Sequence, residues 1–321
     1  MGKLKKYEFA NPTVSANTYA GQLALPYVSA AVKSNVSITE GYVRVVEGFN
    51  RKAVISRLSV TDPLAAASCS FSATDTDLNE TVISLTDLQA NVQYCRKTVY
   101  PTWIGQGMDR NGNLPQSFEE FLLETISANI GQSLENQMWR GGTAFGTGFL
   151  SNDGTLDETG ADLSALKDFT EYDFTNAIDK DDIDDYLAGV YDSAVANHPG
   201  LIADPTAGFY MNNKTYAFYQ QHLASSTTFQ AQGYNAKDIA NLTYLGRPIY
   251  VCPGIFDDVI VFTKPENLVM GTNALSDLTE VRVIPTYQYD GSDNINIVMR
   301  FAAGVGAAVP TEGVFGATVW T

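Results

Sequence analysis

"SFEEFLLETISANIGQSLENQMWRGG", residues 117–142, is the stretch whose reading decides the fold. Its apolar residues Phe118, Leu122, Ile126, Ile130, Leu134 and Met138 fall at every fourth position, and Phe121, Leu123 and Trp139 widen the stripe. That period places one apolar face along a single long helix. Ser117 with Glu120 three residues on has the spacing of a capping box. Pro115 blocks extension backwards, and Gly141-Gly142 ends the helix. At ~1.5 Å per residue the predicted helix 117–139 is roughly 34 Å long, about twice the average length. The rest of the chain reads mostly as strands and turns, so the rod must brace something other than a helical bundle.

Before the rod, residues 51–60, "RKAVISRLSV", alternate as a strand, and 81–103 return in alternation through Val92, Tyr94, Arg96 and Val99. With the small, polar, turn-rich residues between them, 51–103 reads as one long hairpin with an elaborate tip. A hairpin is marginally stable alone, and its edges must be covered or they recruit other chains. Residues 1 to about 45 carry no useful period. Their tyrosines and leucines point to a segment laid over another surface rather than to a separate core.

After the rod comes a glycine-rich loop, 143–163, and then a helix over 181–197 with Ile183, Leu187, Val190 and Ala194 at helical spacing, closed by His198-Pro199-Gly200. Residues 207–213 read as a short buried strand, and Asn212 or Asn213 caps a third helix. "RPIYVCPG" (247–254) and "VIVFTKPENLVMGT" (259–272) read as two further strands. Residues 280–310 read as a long hairpin, Val281, Val283 and Tyr287 on one arm and Ile295, Ile297 and Met299 on the other, turning at Asp290-Gly291.

The 321 residues are 45% hydrophobic, enough for a sizeable core or two domains. Only 17% are charged, against about 25% in a typical domain, which fits a surface largely covered by partners. A net charge of −16 argues against a tight grip on nucleic acid, which requires clustered Lys and Arg. No apolar run approaches a membrane span, and "MGKLKKYEFANPTV" has no apolar stretch behind its basic start, so neither membrane nor signal peptide is expected. Cys69, Cys95 and Cys252, few and without C-x-x-C spacing, read as packing thiols in a reducing compartment.

No residue set announces chemistry. The acidic run 179–185, "DKDDIDD", lacks the glycine and glutamate of a calcium loop and reads as a helix start. His198 reads as a helix C-terminal cap and His222 as a half-exposed helix position, neither at metal spacing. Glycines 142, 146 and 148 follow a helix and are not closed by Lys-Ser/Thr, so they are not a phosphate cradle. In so acidic a chain a glycosidase-type carboxylate pair is neither located nor excluded by sequence. The expectation is a protein that is not an enzyme, with no catalytic residues, cofactor or metal.

The order of parts resembles the HK97-fold major capsid protein of tailed bacteriophages over nearly the whole chain. "SLENQMWRGGTAFGTGF" looks like the end of that family's spine helix and the glycine-rich passage into the next domain. "GFYMNNKTYAFYQQ" is similar to its strand-to-helix step, and "LTYLGRPIYVCPGI", 242–255, to its "LxGxPVxxxP" element. "VIVFTKPENLVMGT" and the hairpin around Asp290 complete the match in order. The resemblance implies an α+β fold with an N-terminal arm (1–45), an extended hairpin loop (46–103), a peripheral domain (104–144 and 280–303, spine helix 117–139) and an axial domain (145–279 and 304–321). It also implies hexamers and pentamers of an icosahedral head around double-stranded DNA, held without sequence-specific binding. Assembly would take place in the bacterial host cytoplasm, with a portal protein, a separate scaffolding protein and room for a decoration protein. Leu64, Phe71 and Leu78 in the extended loop, and Asp290 and Gly291 in the second hairpin, are the expected interface residues. The chain begins directly at the arm, which fits a separate scaffold rather than a built-in leader. Lys97 lies near the base of the loop, so the Lys–Asn cross-link of some relatives is not carried over. The runner-up is an encapsulin-type compartment shell of the same fold, and the alternative from another class is an α+β hydrolase.

Overall fold

The computed structural model describes residues 17–20, 35–47, 51–60, 76–95, 118–156, 164–225, 242–273, 280–286, 289, 291–292 and 294–318. Its first half contains β1 (Asn17–Ala20), α1 (Val36–Thr39), β2 (Arg44–Glu47), β3 (Lys52–Val60), β4 (Thr76–Ser84), β5 (Thr86–Cys95) and the long α2 (Phe118–Arg140). There follow β6 (Thr170–Phe174), α3 (Ile183–Asn197), α4 (Pro199–Ala203), β7 (Gly208–Met211) and α5 (Asn213–Ser225). The chain continues with β8 (Thr243–Tyr244), β9 (Arg247–Val251), β10 (Val259–Thr263), β11 (Leu268–Thr272), β12 (Glu280–Pro285), β13 (Asn294–Ala307) and β14 (Val314–Thr318).

The rod is present, and its stripe is the core. Leu123, Ile126, Leu134, Met138 and Trp139 are buried and Ile130 is half-buried; the side chains of Phe118, Phe121 and Leu122, and all of Ser117, lie outside the described residues. The stripe shares one apolar cluster with Val281 and Val283 of β12 and with Ile295, Ile297, Met299 and Phe301 of β13. Five buried side chains at ~1.5–3 kcal/mol each make this contact worth on the order of 10 kcal/mol before entropy is counted. Gly141, at φ +66°, ends the helix and donates its N–H to Gln137 at 2.7 Å. The chain then doubles back, so that the Phe149 and Leu150 N–H groups reach the Met138 and Trp139 carbonyls at 2.9 and 2.8 Å. The last-turn carbonyls are thereby satisfied without solvent.

The sheet on the rod has the order β1-β12-β13-β11-β2, with β5 also paired to β13. Where β5 pairs with the first half of β13 the face away from the helix is polar, with Gln93 donating to Asn296 across the strands at 2.9 Å. There the strands alternate as in a sheet covered on one side, whereas β11 and the second half of β13 are buried throughout.

The second sheet, β6-β14-β10-β7-β9-β8, packs against α3. Ile183, Leu187, Val190 and Ala194 all enter its core beside Phe174, Phe209 and Phe262. Asp179 accepts the N–H groups of Asp181 and Asp182, which makes the acidic run a helix start. Asn212, not Asn213, caps α5, its Oδ1 taking the Thr215 N–H at 2.8 Å.

Three strand readings are corrected. The second arm of the first hairpin is β4, 76–84, whereas 86–95 leaves it and runs antiparallel along β13 from Thr86↔Ala303 to Cys95↔Asn294. Alternation has the same period whichever neighbour a strand joins, so the sequence does not show this change of partner. Residues 259–272 are two strands, because Pro265–Asn267 makes a 3₁₀ turn that sends β10 to the second sheet and β11 to the first. The second passage between the sheets, from β13 to β14, lies beside this one. Buried Asn267 ties them: its Oδ1 takes the Val309 N–H at 2.6 Å and its Nδ2 donates to the Glu312 carbonyl at 2.9 Å. Finally, residues 35–47, expected to lack local structure, form α1 and β2, and β2 pairs in parallel with β11.

Candidate assembly interface

The hairpin of β3 and β4 has two unlike faces. In the observed register Val54 stands opposite Val82, Ser56 opposite Glu80 and Leu58 opposite Leu78. Because alternate residues share a face, these six form one side of the ribbon. Its four apolar members are exposed, Val54 and Val82 at 51%, Leu58 at 64% and Leu78 at 63%. The other side is buried only at its root, where Ala53 and Ile83 pack on Val269 of β11. Beyond Ile55 the ribbon has no described core beneath it.

The direction in which the ribbon leaves the body is set by glycine. A Cβ on Gly304 would fall on the Ser84 carbonyl oxygen, one on Gly306 would lie 2.6 Å from Ile83 Cγ1, and one on Gly271 2.9 Å from Leu85 Cδ2. Gly271 of β11 and Gly304 and Gly306 of β13 thus form a saddle, into which residues 83–85 are pressed. The Leu85 N–H donates to the Arg51 carbonyl at 2.8 Å and closes the root. A cleft of about 400 Å³ beside it is lined by Thr81, Ser84, Gly146, Thr147, Lys167 and Gly306 among others.

Of the residues singled out by sequence, Leu78 lies on the exposed stripe, Gly291 is exposed at φ +69°, and Leu64, Phe71 and Asp290 lie outside the described residues. The sequence reading passed over Val54, Leu58 and Val82. The signal was the i, i+4 pair Val54 and Leu58 in "VISRL", mirrored by Leu78 and Val82, but only the register shows that the two pairs share a face.

Elsewhere the histidines have structural partners. The His198 backbone N–H caps α3 on the Ala194 carbonyl, while its Nε2 lies 2.8 Å from Thr170 Oγ1. His222 Nδ1 donates to the Lys180 carbonyl at 2.9 Å. Burial and the charge of Asp184 push the Tyr219 and Tyr244 hydroxyls up to about 12, and burial raises the Cys252 thiol well above its ordinary value. Among the described residues no group of three or more His, Cys, Asp or Glu is placed to hold a metal, and no helix is long and apolar enough to cross a membrane.

Neither a family model nor a curated protein matches the chain by sequence. Solved structures do match, over nearly its full length. The capsid of Myoviridae phage XM1 superposes with a TM-score of 0.55 over 99% of both chains at 10% identity. The capsid of the native GTA particle gives 0.55 over 99% of this chain and 96% of that one at 14% identity. The procapsid of satellite phage P4, whose structure includes the size determination (Sid) protein, gives 0.58 over 92% and 99% at 12% identity. The chain has the HK97-type fold of phage capsid proteins. Within that capsid fold the α+β class expected from the sequence holds, with a long helix backing one of two mixed sheets. At 10–14% identity the likeness is one of fold, and cores keep a fold through many different apolar sequences of suitable volume and pattern.

Proposed function

We propose that the chain is a capsid shell subunit that assembles with copies of itself into a closed head, and that β3–β4 is the extended loop gripping a neighbour. One observation carries this reading: a ribbon with four exposed apolar side chains stands on a glycine saddle, with no described core under its outer half. Covering that stripe would contribute roughly 1 kcal/mol per side chain, repeated at every subunit contact. Exposed apolar patches of this kind mark interaction surfaces.

In the finer reading, residues 1–45 are the arm, α2 with the β12–β13 sheet is the peripheral domain, and the second sheet with α3 and α5 is the axial domain. We draw three boundaries of that scheme differently from the sequence reading, with the strand pairing as support: the extended loop would close at residue 85 in place of 103, and both β11 and the whole of β13 would go with the peripheral domain. Pentamers and hexamers would form an icosahedral shell around double-stranded DNA, with portal and scaffolding proteins as partners. A charge of −16 suits an inner wall that does not hold the packaged genome tightly.

The test is Leu58→Asp combined with Leu78→Asp. Electron microscopy should show closed shells for the parent and none for the double variant, whose circular dichroism stays that of the folded subunit. Shells formed normally by the variant would end the reading. Because the stripe is apolar, molar salt should leave parent shells intact, since salt screens only the Coulomb part of a contact. Nucleic acid inside the particles would mark a virion head, and a protein cargo would mark a compartment shell.

A further inference from the structure

Glu135 lies on the inward side of α2 and is 4% exposed. None of the ion pairs seen among the described residues, Lys180 with Asp181, Lys214 with Asp257 and Lys264 with Glu312, involves this buried carboxylate. Neutral donors hold it instead. The Ser37 hydroxyl donates to Oε1 at 2.6 Å, the Ser37 N–H to Oε2 at 3.1 Å, and the Trp139 Nε1–H to Oε1 at 3.2 Å. Two of the three bonds come from one residue of a distant segment.

That segment, residues 35–43, has little regular structure of its own; its other ties are side-chain contacts, with Ile38, Tyr42 and Val43 joining the first core, the Tyr42 ring 4.9 Å from that of Tyr250, and the Trp139 Nε1–H also donating to Ser37 Oγ at 3.1 Å. α1 is four residues long, far below the length at which a helix supports itself. The Asn35 Oδ1 caps it through the Ile38 N–H at 3.1 Å, but the buried Asn35 Nδ2 has no partner. At the far end Val43 is buried and the Tyr210 hydroxyl donates to the Tyr42 carbonyl at 3.1 Å. Beneath lies Cys252, fully buried, its thiol against Ser37 and close to Glu135. On its other side the loop carrying Cys252 is pressed onto α2, because a Cβ at Gly254 would fall on the Glu135 carbonyl oxygen. The cover that can lift from Cys252 is therefore residues 35–43.

A buried carboxylate must be hydrogen-bonded wherever it is. With the segment down, Ser37 supplies the bonds; with it raised, water supplies them. An apolar side chain at 135 would be satisfied only in the closed arrangement. We propose that residues 35–43 are a releasable strap keyed by Glu135, which opens as a unit to expose Trp139 and Cys252 while both sheets stay folded. This rests on the strap and its seat alone and is read on the unassembled chain, so its failure leaves the shell reading untouched.

The test is alkylation of Cys252 by iodoacetamide in the native full-length chain. Peptide masses separate Cys252 from Cys69 and Cys95, and amide exchange of β10 serves as the clock for global opening. Cys252 should be modified at least tenfold faster than β10 opening allows, in step with amide exchange of residues 36–43. Ser37→Ala should raise its rate a further tenfold with β10 exchange unchanged. Modification of Cys252 only in step with β10 in the parent overturns the strap, and so does a Ser37→Ala variant that speeds both equally or neither.

Discussion

β10 and the β3–β4 hairpin are built from the same kinds of residue and end in opposite environments. Every residue of Val259–Thr263 is fully buried, flanked by β7 and β14 and covered by α3. Among the described side chains of the hairpin only Ala53 and Ile83 are buried, while Val54, Leu58, Leu78 and Val82 face outward. β-branched and aliphatic side chains make both strands; what differs is whether another element of the same chain stands over each face. A central strand is stabilised by its own chain, whereas in the proposed reading the ribbon would gain full stabilisation only from a second copy.

Substitutions can break this contrast, beginning with the core. Ile126→Asp places a charge among Leu123, Leu134 and the β13 side chains, and soluble folded chain should disappear. Ile130→Asp, at a half-buried position, should be the milder of the two by solubility and thermal melting. Phe262→Ala in β10 empties a fully buried site in the second core and should lower unfolding free energy by about 3–5 kcal/mol in a urea titration. Gly306→Val tests the saddle. Its side chain would meet Ile83, costing about 1–3 kcal/mol and tilting the ribbon, so shell yield should fall more than subunit melting does.

A smaller effect is expected in alkali. Tyr219 and Tyr244 ionise near 10 in the unfolded chain and are pushed up to about 12 in the fold. The unfolded state therefore releases these protons first. The stabilisation is complete below pH 10 and is lost as pH rises through 10 to 12. Tyr244→Phe should make the decline shallower in that window when followed by circular dichroism. The smallest change to the subunit belongs to Leu58→Asp with Leu78→Asp, about 1 kcal/mol and confined to the ribbon, because the two face each other across the strands but no other element of the chain covers either. Strong destabilisation of the isolated subunit by that pair would dissolve the distinction between ribbon and core.

By itself the sequence determined what short-range spacing determines. The 3.6-residue stripe from Ile126 to Trp139 specified α2, Gly141 its end, Ile183 to Ala194 the buried face of α3, and an asparagine at 212 or 213 the start of α5, where the structure uses Asn212. Each depends on residues within a few positions, whose geometry is fixed by the helix itself. Beyond the β12–β13 hairpin, tertiary structure decided which strand pairs with which. It set 86–95 on β13 some two hundred residues away, divided 259–272 between two sheets, and brought Ser37 to Glu135. It also left Val54, Leu58, Leu78 and Val82 facing outward. A strand's alternation is the same beside any partner, and a side chain is buried only by what lands on it, so those choices were made by long-range packing and not by any local pattern.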